Sequence, residues 1–96
     1  MVKHIVLTSL LERSPENIDK VRTVMLSMKE NIPLIREISV HEDILHVPDS
    51  FDIVLEATFD NKADLLEYVQ HPYHMVNVAG ELSKYCKDTR IIDYEF

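Results

Sequence analysis

Val2-Lys3-His4-Ile5-Val6-Leu7-Thr8-Ser9-Leu10-Leu11 is the stretch that decides the fold. It is rich in residues that favour strands. Successive side chains of a strand point to opposite faces. One face then carries His4, Val6, Thr8 and Leu10, and the other Ile5, Leu7, Ser9 and Leu11. Both faces are largely apolar, so this strand must be covered on two sides.

The next residues supply one cover. Ser14-Pro15-Glu16 reads as a helix start, with Ser14 as N-cap and Pro15 at the first helical position. Ile18, Val21, Met25, Met28 and Ile32 follow at helical spacing and predict one buried stripe. Asn31 and Pro33 end that helix. Ile35 to Ile44 alternates, with Arg36, Ile38 and Val40 opposite Glu37, Ser39 and His41, and predicts a second strand. After a loop at His46–Ser50, Phe51 to Phe59 predicts a third, with Ile53, Leu55, Ala57 and Phe59 on one face. Asp60 or Asn61 caps a helix carrying Leu65, Leu66, Tyr68 and Val69, which Pro72 interrupts. A further helical stretch bears Met75, Val76, Val78, Ala79 and Leu82, and residues 89–96 predict a last strand.

The order βαββαβ is that of a ferredoxin-like α+β domain: a four-stranded antiparallel sheet with helices on one face, here one domain over residues 1–96. The other sheet face needs its own cover. A monomer of this size buries only about 60–70% of the surface its unfolded chain exposes. A second copy of the sheet, packed across a two-fold axis, meets the need, so a homodimeric α/β barrel is expected.

Composition removes several classes of function. Ten Lys and Arg stand against 17 Asp and Glu, a net charge of −7, with no basic stripe. Neither nucleic acid nor an anionic membrane surface is an expected partner. The single glycine, Gly80, rules out glycine-rich phosphate loops. The lone Cys86 forms no intrachain disulfide and no zinc site built on several cysteines. Secretory and membrane-spanning segments are not evident, which gives a cytosolic expectation.

The densest polar feature is His71-Pro72-Tyr73-His74. Pro72 suits the start of a new helical segment, with His71 as its cap and His74 in the first turn. The positive end of a helix disfavours imidazolium, so His74 is expected to be neutral and fit for general-base work. Tyr68 lies six residues earlier and shares a face with Leu65 and Leu66, so its ring is expected to point inward. On an unbroken helix, at ~3.6 residues per turn, Tyr68 and His74 diverge by about 120°. A break at Pro72 lets them meet in one cavity, with His4 contributing from the sheet. The competing role is structural: the prolyl turn places the helix, the histidines satisfy backbone groups, and His4 is a hydrogen-bonded core residue. His71 is read as the cap, His41 and His46 as solvated surface, and Cys86 as structural. The two histidines flanking Pro72 do not share a helical face, and no histidine–carboxylate ladder occurs, so no side-chain metal site is expected.

The opening Val2–Leu7, Ile32-Pro33, Glu56-Ala57-Thr58-Phe59, the run Tyr68-Val69-Gln70-His71-Pro72-Tyr73-His74 and the closing Asp93-Tyr94 together resemble the stress-responsive A/B barrel, or Dabb, family over essentially the whole chain. The resemblance implies a homodimer with a central β-barrel built from both sheets. Most members have no assigned reaction. One branch cyclises linear polyketides by aldol chemistry without a cofactor. Its tyrosine and histidine fall on Tyr68 and His74, and its first-strand histidine on His4; its third-strand histidine falls on Ile53. Some members hold a cation on backbone carbonyls, here around Lys29, Ile32 and Ile35.

Three functions fit these residues. The leading one is a pocket for an apolar or carbonyl-bearing small molecule, with cofactor-free acid–base chemistry by His74, Tyr68 and His4. The second is a non-catalytic, stress-related dimer whose pocket is only core. The third is a dimeric-barrel monooxygenase, for which no residue signal is present. No cofactor is expected.

Overall fold

The computed structural model describes residues 1–96. Strand β1 (Val2–Leu10) lies inside a four-stranded sheet of order β2-β3-β1-β4. Every neighbour is antiparallel. Val6 pairs with Leu55 of β3 (Ile53–Phe59) and Ile91 of β4 (Cys86–Glu95); Leu55 in turn pairs with Val40 of β2 (Glu37–Glu42). Paired residues share a face, so this register gathers the apolar halves of all four strands under the helices.

Helix α1 (Pro15–Leu26) starts where the sequence predicts, with the Ser14 hydroxyl accepting the Asn17 N–H at 3.1 Å. Its stripe continues as predicted, but the helix does not run unbroken to Ile32. Ser27 interrupts it, and α2 (Met28–Asn31) follows as one further turn. The Ser27 hydroxyl bonds the Val24 carbonyl and lies 2.7 Å from the Tyr73 hydroxyl, so the break is held by side-chain bonds that compete with the helix. The Lys29 ammonium donates to the Ile35 carbonyl at 3.0 Å.

The bounds of three strands depart from the sequence reading by two or more residues. β2 spans Glu37–Glu42 rather than 35–44. Ile35 is buried in a turn on the Ile32 carbonyl, and Ile44 is exposed in the loop that follows. β3 begins at Ile53 because Asp52 is turned toward the Leu10 N–H at 2.7 Å and Arg13 at 2.6 Å. Arg13 also reaches Glu42, the Asp43 carbonyl and His46. These bonds hold the loop so that His46 adopts a left-handed φ of 55°. β4 begins three residues before the predicted strand, because Cys86 pairs with Leu10 beyond an irregularity at Ser9/Leu10.

The core sits between sheet and helices. Val21, Met25, Ile32, Leu55 and Phe59 are fully buried, and each contributes roughly 1.5–3 kcal/mol by leaving water. The far sheet face differs. There Ile5, Leu7 and Val54 are half-buried and Ile92 is 61% exposed. β4 is an edge strand, exposed along nearly its whole length.

Helix α3 (Lys62–Gln70) is capped by Asn61, whose side-chain oxygen accepts the Asp64 N–H at 2.8 Å. It ends at His71, which is extended (ψ 133°) as the residue before a proline tends to be. Pro72 then opens a second helical segment: a π-helical stretch, Tyr73–Val78, running into α4 (Ala79–Leu82). His71 caps this segment. Its Nδ1 accepts the Tyr73 N–H at 3.1 Å and its carbonyl the Met75 N–H at 2.9 Å.

Candidate functional site

A cavity of about 360 Å³ lies between the helix-facing side of β1 and β4 and the paired segments α3 and α4. Eleven of its sixteen lining residues are hydrophobic, and the other five are His4, Thr8, His74, Ser83 and Thr89. Tyr68 is among the lining residues, so all three residues singled out in the sequence border one space.

Their rings are in contact. Tyr68 and His74 have centroids 4.7 Å apart, and His4 meets Tyr68 edge-on at 5.4 Å. Phe59 packs on Tyr68 at 4.9 Å and fixes it from the core side. The turn at His71-Pro72 brings this about, since it redirects the chain between the two helical segments.

The hydrogen bonds set the tautomers. His74 Nδ1 lies 3.0 Å from the Val69 carbonyl, which only accepts, so Nδ1 carries the proton and Nε2 keeps a free lone pair. Burial holds the His74 pKa below that of an ordinary histidine; His4 and His71 push the same way, while the bond to Val69 opposes them. His74 is therefore a neutral imidazole at pH 7. His4 Nδ1 lies 2.5 Å from an Asp93 carboxylate oxygen, which fixes the ring. Burial, reinforced by the charge of Asp93, pushes the Tyr68 phenol well above its usual value, so it stays protonated. Its hydroxyl has only the Met28 sulfur, at 3.6 Å, as an acceptor.

The remaining histidines and the cysteine lie around this cluster. His71 is the cap described above. His41 is exposed, and exposed His46 is held by Arg13. Cys86 lines the cavity, and burial raises its thiol pKa, so it is a poor nucleophile. No three His, Cys, Asp or Glu side chains come together as a metal site would require. The sequence reading quoted Asp93 only as part of the closing motif and missed its bond to His4. Asp93 lies 89 residues from His4, and only the β1–β4 register, which pairs the two, reveals the bond.

A family model for the stress responsive A/B barrel domain matches residues 2–96. This chain belongs to that family. Solved structures agree in fold. A dimeric protein of unknown function with a ferredoxin-like fold from Bacteroides fragilis is 29% identical, with a TM-score of 0.82 over 99% of this chain and 95% of its own. The Arabidopsis thaliana protein At3g17210 is 26% identical, with a TM-score of 0.86 over 99% of this chain and 94% of its own. The hydroxynitrile lyase of Passiflora edulis shares the fold at 23% identity, with a TM-score of 0.81 over 97% of this chain and 90% of its own. No curated protein matches the chain.

Proposed function

We propose that this member of the family is a homodimer that binds an apolar, carbonyl-bearing small molecule and removes a proton beside that carbonyl without a cofactor. The observation that carries the reading is the contact of Tyr68 with both His4 and His74 on the wall of an apolar cavity. A buried phenol with only a thioether acceptor contributes little to stability, since a hydroxyl without a good partner costs about 1–3 kcal/mol. Its use is to donate to a ligand oxygen. His74 Nε2 then takes the proton from the neighbouring carbon. The C–H electron pair moves into a new carbon–carbon double bond, and the carbonyl electrons move onto oxygen as an enolate. Tyr68 stabilises that oxygen with its O–H bond. His4, oriented by Asp93, holds the phenol ring edge-on. The homodimer reading rests on the apolar residues of the uncovered sheet face and on relatives described as dimeric.

Hydrogen–deuterium exchange beside the carbonyl of a long-chain methyl ketone, followed by NMR in heavy water, tests the chemistry. The protein should speed exchange above the buffer rate. His74→Ala and Tyr68→Phe should each remove about a hundredfold of that acceleration. Exchange at the buffer rate with the intact protein overturns the reading.

A further inference from the structure

The cavity has two polar ends on the sheet side with apolar residues between them; Ser83, which also lines it, spends its hydroxyl proton on the Gly80 carbonyl. One end is the ring cluster at His4. The other is at Thr8, four residues along β1, or about 13 Å at the rise of a strand. Val6, Leu55, Met25 and Ile91 line the space between. At the second end Thr8 and Thr89 are paired across β1 and β4. The Thr8 hydroxyl donates its only proton to the Asp88 carbonyl at 3.0 Å. Its 3.3 Å contact with the Thr89 hydroxyl is therefore made by the Thr89 proton. The Thr89 oxygen keeps its lone pairs for another donor.

None of the sixteen lining residues is Lys, Arg, Asp or Glu. A carboxylate or phosphate inside would lose its water with no cation to pair with, which is costly. The chain's net charge of −7 adds repulsion on approach.

We infer that the site selects an uncharged, elongated molecule that places a carbonyl at the Tyr68–His74 end and a hydroxyl at the Thr8–Thr89 end. This rests on the reading of the cavity as a ligand site given above. A ligand of this kind satisfies both ends with opposite hydrogen-bonding roles. It accepts from Tyr68 and donates to Thr89, so the two ends together fix its direction as well as its length.

Calorimetric titration with straight-chain methyl ketones of graded length tests this, each made with a terminal methyl, hydroxyl or carboxylate. At the length that spans the two ends, the hydroxyl form should bind about tenfold tighter than the methyl form, equal to about 1.4 kcal/mol. The carboxylate form should bind at least about tenfold more weakly than the hydroxyl form. Thr89→Val, which keeps a β-branched residue in an exposed strand position, should bring the hydroxyl and methyl forms to equal affinity. Thr8→Val, which removes the group that orients the Thr89 hydroxyl but leaves the Thr89 oxygen as acceptor, is the second variant and should reduce the preference without abolishing it. Ketones that bind without distinguishing the three termini overturn this inference while leaving the ligand site standing. So does a hydroxyl preference that survives Thr89→Val. Binding of no ketone at any length overturns this inference and the ligand site together.

Discussion

The Tyr68 hydroxyl is 1% exposed as part of its residue and meets only the Met28 thioether, a weak acceptor. Tyr68→Phe should therefore leave stability unchanged or raise it by up to about 1 kcal/mol, measured by urea denaturation, because a poorly paired buried polar group is removed. The same variant should lose the exchange activity. A site residue that the fold does not need is expected to show this separation. The pH dependence belongs to His74. Its neutral form is the base and its pKa lies below the usual histidine value, chiefly through burial. The exchange rate should be flat around pH 7 and fall on acidification, with its inflection on the acid side of 6.5. His74→Ala should remove that inflection. Tyr68 and His74 were legible as a pair because Leu65 and Pro72 give strong local signals on either side of Tyr68; Leu66, expected on the same face, is exposed, since residues two apart on a helix point to opposite sides. Asp93 was not legible, since its bond to His4 depends on strand register.

The break between α3 and the π-helical segment places the site, and His71 holds it open through the Tyr73 N–H. His71→Ala should cost about 1 kcal/mol, and His71→Asn, a good cap, should recover most of it in urea denaturation. Arg13 does comparable work at the other end of the sheet. Burial alone would raise the Asp52 pKa, but the bonds from the Leu10 N–H and Arg13 outweigh it and hold the carboxyl below its usual range. A group depressed in this way stabilises the fold above its unfolded pKa of about 3.8, and that contribution is lost as the pH falls through the folded value. Arg13→Ala should cost about 1–2 kcal/mol at pH 7, given the partial exposure of the pair, and should flatten the decline of stability with acid. Element order, the faces of β1 and β3 and the caps at Ser14 and Asn61 were legible because alternation and capping are local. The ends of β2 and β4 were not. Ile35 and Ile44 look like strand residues, and only the distant bonds of Arg13 and the pairing of Leu10 with Cys86 decide where the ladders start and stop.

At the scale of the molecule, β1 has half-buried apolar residues on the face that no helix covers. Ile5 pairs with Ile92, and Leu7 with Val54, so the apolar residues of three strands adjoin one another there. The protein should sediment as a dimer at micromolar concentration. In the proposed dimer, packed through this sheet face, Ile92→Asp would bring in a charge from each copy and should weaken association by at least about a hundredfold. A wild-type monomer at that concentration would sink the dimer reading. The exposed edge of β4 has a further consequence, for solubility. An outer strand of ten residues offers unpaired backbone groups on which foreign strands add and fibrils grow. Lys87, Asp88, Arg90, Asp93 and Glu95 break up its apolar residues and act as gatekeepers against that growth. Asp93 thus holds a ring in the cavity and guards the strand edge, so its replacement by an apolar residue invites aggregation as well as disturbing the site.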